Sequence, residues 1–158
     1  AEFPISGIAI DREAARITVG GVRDRPGVAA GLFGPLAEQG LIVDIVVQTS
    51  SSKGRTDMAF TTTDDDAERA VSIIEGQDAI EYDQVIIDRG LAKLSIVGAG
   101  LKYTPGQAAL MFRTLASEGV NIHAMTTSDI RITCLIDSAL LGPAAQALHR
   151  VFRLAESR

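Results

Sequence analysis

A chain of 158 residues, 46% apolar but only 4% aromatic with no Trp, can fill one ordinary core or two small ones with Val, Ile, Leu and Ala. Its net charge of −5 and its 15 scattered Lys and Arg argue against the clustered basic face that nucleic acid requires. No apolar run is long enough to cross a bilayer, residues 1–12 lack the regions of a signal peptide, and single Cys134 forbids an internal disulfide, so a cytoplasmic protein with no membrane or nucleic-acid partner is expected.

In chain order, residues 3–10 read as a short strand and Asp11–Ala14 as a turn. Ala15–Val22 alternates apolar and polar as a strand does. Val28–Gln39 sets Ala29, Leu32, Phe33, Leu36 and Ala37 on one helical face, with Gly40 placed to end the helix. Leu41–Gln48 is a β-branched run, Ser50–Gly54 a turn and Thr56–Thr62 a further strand. Asp64–Asp66 opens a second helix, with Asp64 as its cap and Ala67, Ala70, Val71 and Ile74 as its stripe. Ala79–Ile87 is strand again. The order β-α-β-β-α-β is that of a ferredoxin-like unit.

A second pass begins at Ala92. Strand 94–97, helix 105–118, strands 120–125 and 130–136 and helix 142–152 follow. Sliding the sequence on itself by 79 positions aligns Pro26 with Pro105, Gly27 with Gly106, Phe33 with Phe112 and Gly40 with Gly119. Eight of the fifteen positions from Pro26 to Gly40 are identical, where chance gives about one. The chain is an internal duplication. The second copy lacks a closing strand, because residues 153–158 are few and polar, whereas the first has a surplus strand ahead of it. Moving the N-terminal strand across completes the second sheet and removes an edge. The expected domains are therefore 14–88 and 91–152, the latter completed by residues 3–10.

The residues with most chemical content form the turn Asp24-Arg25-Pro26-Gly27-Val28-Ala29-Ala30. Proline suits a helix start, and glycine beside it lets a ligand approach the backbone. Free N–H groups at Gly27 to Ala30 would receive a carboxylate, Ala29 and Ala30 leave room, and Asp24 or Gln48 is suited to an ammonium or hydroxyl. Gly98-Ala99-Gly100 fails as a dinucleotide motif, since Tyr103 stands where a third glycine is needed. His123 and His149 have no acid or Cys at ligand spacing, so no metal is expected. Acid/base pairs, nucleophile triads and phosphate-cradling loops are absent as motifs, so catalysis by this chain is not expected.

The D-x-P-G-x-A-A turn, Val43–Gln48, Thr56-Asp57, Ile96–Gly100, Asn121-Ile122 and Thr126–Ile132 together resemble the tandem ACT domains of aspartate kinase. The likeness runs from about Ile5 to Phe152. It implies an α+β fold of two ACT domains, with antiparallel sheets and helices on one face. It implies a regulatory (β) subunit or region without a catalytic domain, forming a homodimer and serving a catalytic (α) partner. No cofactor is implied. The effector would be L-threonine, with L-lysine as a second candidate, in feedback inhibition of aspartate-family amino acid synthesis. Asn121 and Ile122 are carried over as the wall opposing Gly27 to Ala30. A second effector site would involve Tyr103, Thr104, Pro105, Gly106, Ser128 and Asp129. Tyr103 departs from the small serine usual there, which favours threonine at the first turn. The alternative is a free-standing ACT sensor serving another partner.

Overall fold

The computed structural model describes residues 5–50 and 52–152. Part of the expected N-terminal strand, residues 3 and 4, lies outside them. Among the described residues, six strands and four α-helices form in the order β1 (Gly7–Arg23), α1 (Val28–Glu38), β2 (Asp44–Ser50), β3 (Arg55–Thr63), α2 (Ala67–Glu75), β4 (Gln84–Val97), α3 (Pro105–Ser117), β5 (Ala124–Thr127), β6 (Arg131–Asp137) and α4 (Leu141–Phe152). The described residues divide into two compact units, Ala14–Arg89 and residues 5–13 with 90–152.

In the first module the strands lie in the order β2-β3-β1-β4. Antiparallel pairing sets Ile17 opposite Phe60 and Val19 opposite Met58. All four are buried, with Leu32 and Leu36 of α1 and Ala70 and Ile74 of α2. The alternation read from the sequence is thus the pleat of a sheet covered by helices on one face. Phe33 meets Phe60 edge-on at 5.4 Å between ring centres.

In the second module the order is β5-β6-β4-β1. Leu94 faces Cys134 and Ile96 faces Ile132, under Met111 and Leu115 of α3 and Ala144 and Leu148 of α4. The fourth place is taken by the leading part of β1. Ser6 N–H donates to Val97 O at 2.7 Å, Ile5 is in this core, and Lys93 Nζ lies 3.5 Å from Asp11 Oδ2. The N-terminal strand therefore supplies the edge that the duplicated sequence lacks.

Several local expectations fail, each for a visible reason. Asp11–Ala14 is no turn but the middle of β1. Asp11, Arg12 and Glu13 are exposed, so their polarity reflects a solvated strand face, and no Gly or Pro interrupts them. Residues 41–43 and 120–123 are not strand. Leu41 N–H donates to Leu36 O and Val120 N–H to Leu115 O, each closing a helix end behind a left-handed Gly40 or Gly119. β4 begins at Gln84 rather than Ala79 and runs unbroken through the expected gap before Ala92. Asp64 does not cap α2. Asp66 is the cap residue, its N–H is received by Thr63 Oγ1, and Asp64 instead pairs with Arg89 at 2.8 Å.

Candidate functional site

The first turn follows from the end of β1. Asp24 N–H donates to Gly54 O at 2.8 Å, which fixes the turn against the β2–β3 hairpin. Gly27 is the helix cap, with φ of 91° in the left-handed region that favours glycine. Pro26 therefore precedes the cap instead of occupying the first helical position, as the sequence suggested. Val28 N–H is already committed to Arg25 O at 3.1 Å. The donors left open are the N–H groups of Gly27, Ala29 and Ala30, which have no acceptor among the described residues. Gly27, Ala29 and Ala30 are exposed and Val28 is half-buried.

Beside this turn lies a pocket of about 180 Å³, lined by Arg23, Arg25, Pro26, Gly27, Val28 and Gly31 on one side and Ala79, Ile80 and Glu81 on the other. The two arginines hold the walls together. Arg23 Nη1 lies 3.3 Å from Glu81 Oε2, Arg23 N–H donates to Glu81 O at 3.0 Å, and Arg25 Nη2 donates to Ala79 O at 3.4 Å. Arg23 and Glu81 are both more than half exposed, so their pairing positions the walls more than it stabilises the fold. With Glu81 matched by Arg23, Arg25 and the helix N-terminus leave the pocket favourable to an anion.

Of the expected residues, Pro26, Gly27 and Val28 line the pocket, and Ala29 and Ala30 follow in the first helical turn. Asp24 does not line it, and neither does Gln48, exposed on β2 opposite Met58. Asn121 is exposed and Ile122 packs on the second core. Arg23, Gly31 and the 79–81 segment line the pocket without having been expected, and Arg25 lines it although no role beyond its place in the turn was expected of it. The basic pair flanking Asp24 was a local signal, but the 79–81 segment arrives only through long-range pairing with β1.

The second turn is built differently. Leu101–Tyr103 forms a short 3-10 turn, buried Thr104 is the cap and Pro105 opens α3, so the helix starts earlier relative to Pro-Gly. Gln107 N–H is taken up by Thr104 O at 3.0 Å. Tyr103 is 69% exposed. Asp129 O receives Leu101 N–H at 2.8 Å, which brings the Ser128-Asp129 connection to the turn. Ser128 N–H itself donates to Arg131 O.

Neither histidine belongs to a metal-ligating group among the described residues. His123 is not isolated, however: its Nε2 lies 2.8 Å from Asp137 Oδ1, a pairing that register creates and sequence spacing hides. Cys134 is fully buried in the second core, and desolvation pushes its thiol up to about 12, which makes it unreactive.

Residues 15–78 and 94–152 each match a family model described as an ACT domain. An aspartokinase of Helicobacter pylori is 42% identical over 158 residues, covering 97% of this chain and 38% of that protein. The chain thus spans about two fifths of the length of the curated relatives it matches. The ligand-free regulatory subunit of aspartate kinase from Thermus thermophilus superposes with a TM-score of 0.85 at 38% identity, over 92% of this chain and 97% of that one. A structure of aspartokinase alpha and beta subunits gives 0.85 at 40% identity, over 95% and 99%.

Proposed function

Because this chain belongs to the family of tandem-ACT regulatory chains of aspartate kinase, we propose that it senses a free amino acid and restrains the first step of aspartate-family synthesis through a catalytic partner. The observation that carries the reading is the first turn, where open amide donors at Gly27, Ala29 and Ala30 border a small, positively biased pocket. L-Threonine fits this chemistry. Its carboxylate goes to the amides beside Arg25, and its small neutral side chain suits the confined space. Asp24 and Gln48 are the proposed acceptors for its ammonium or hydroxyl. Asn121 and Ile122 are the proposed wall contributed by a second copy, so the effector favours the homodimer by mass action. A coupling of about 1–3 kcal/mol between effector and catalytic partner suffices for useful inhibition.

Isothermal titration of L-threonine into the full chain is the direct test. Saturable heat is expected, and threonine at a hundredfold excess over its dissociation constant should add about 2.7 kcal/mol of stability. The absence of both heat and melting shift at millimolar threonine would remove the proposal. Co-purification with an aspartate kinase catalytic chain separates this reading from a free-standing sensor.

A further inference from the structure

The second turn carries a cation of its own. Lys102 Nζ sits 3.4 Å from Asp129 Oδ2 and 5.0 Å from the centre of the Tyr103 ring. A carboxylate beside an aromatic face is the pair of partners that a primary ammonium seeks. Here the backbone brings the Asp129 segment to the turn that carries Lys102 and Tyr103, since Leu101 N–H donates to Asp129 O at 2.8 Å and Gly98 N–H to Ile130 O at 2.9 Å. The 79-residue offset sets Lys102 against Arg23, but the two side chains travel differently. Arg23 reaches the 79–81 segment and becomes a pocket wall, whereas Lys102 turns onto Asp129 beside its own helix start.

We infer that Lys102 is a tethered ligand: its ammonium occupies the cation position formed by Asp129 and Tyr103 and keeps free basic amino acids from the second turn. The inference rests on reading the duplicated turns as amino-acid sites. Lys102 and Asp129 are both partly exposed, so their ion pair is weak as a stabilising contact. Tethering is what makes it effective. A side chain carried by the same turn has an effective concentration in the millimolar range or above, which a free metabolite must overcome. An arriving ammonium also meets a like charge a few ångströms away.

The test is titration of L-lysine into the full chain, as wild type and as Lys102→Met, which keeps the aliphatic stem beside the Tyr103 ring and removes the charge. Wild type is expected to give no saturable lysine heat at millimolar concentration. K102M should gain a saturable lysine site at least about tenfold tighter than the millimolar limit set by wild type, K102R should stay closed, and K102M/D129N should lose the gain. K102Q substitutes if K102M fails to fold. The inference is overturned if a folded charge-removing variant binds lysine no better than wild type, or if the unsubstituted Lys102 chain binds lysine with a change in tyrosine fluorescence that persists in Y82F, where Tyr103 is the remaining tyrosine. L-Threonine titrated into the same samples reports on the first turn separately. Loss of threonine heat alone would sink the proposed function while a lysine gain in K102M would still support the tethered ligand.

Discussion

The two turns share Pro-Gly-x-Ala-Ala and end in opposite arrangements. At the first, a left-handed Gly27 delays the helix, leaves amides open and borders a pocket whose far wall is held by Arg23 and Arg25. At the second, a 3-10 turn delivers Thr104 and Pro105 straight into α3, and Lys102 folds onto Asp129. A shared local motif therefore does not make identical sites. The three residues before Pro-Gly, and the partner each finds across the module, decide where the helix begins and what borders its first turn.

The cores can be separated most strongly. Phe60→Ala removes a fully buried ring and its edge contact with Phe33, and should cost about 3–5 kcal/mol in the first module. Hydrogen exchange resolved by residue should show lost protection in β1–β3 with helix α4 retained. Equal loss in both modules would show that they do not unfold separately.

The glycines at the two turns should respond with opposite sign. Gly27→Ala forces a Cβ into the left-handed region and should destabilise by about 1–2 kcal/mol while weakening threonine binding. Gly106→Ala has open space around its Cβ in a helical turn and should stabilise by about 0.5–1 kcal/mol. Urea melts of the two variants measure the contrast directly.

Alkaline pH should distinguish the modules next. The Cys134 thiol is raised from 9.0 to about 12 in the fold, so the unfolded chain loses this proton first. Its contribution is fully present below pH 9 and is lost as pH rises toward 12, by at most about 1.4 kcal/mol per pH unit. The second module should weaken selectively over that range, and a C134A chain should lose this slope. Thiol labelling of the native protein at pH 8 should be slow until urea unfolds it.

The smallest effect should come from Glu81→Gln, which breaks the exposed pair with Arg23. Stability should change by less than about 1 kcal/mol. Threonine affinity should change more than stability does, because the wall of the pocket moves. A large melting shift without a change in binding would contradict the positional role given to this pair.

Much of the fold was legible because it is locally encoded. Helix periods, the glycines at 40 and 119, and the duplicated Pro-Gly turns depend on residues within a few positions of one another. Element boundaries were less legible where one residue serves two structures, as Leu41 and Val120 do in closing helices before their strands. The candidate site was half readable. Gly27 and its neighbours announce an open helix start, while Glu81, more than fifty residues away, carries no local mark of its place beside Arg23.

The sequence by itself determined two α+β modules, their shared turn and a missing strand in the second, since periodicity, backbone preference and repetition are properties of short stretches. Only the tertiary structure decided that β1 runs without a turn, that the arginines meet the 79–81 segment, and that Lys102 meets Asp129. Those outcomes depend on strand register and on which distant groups share a small volume, and burial of the whole module fixes both.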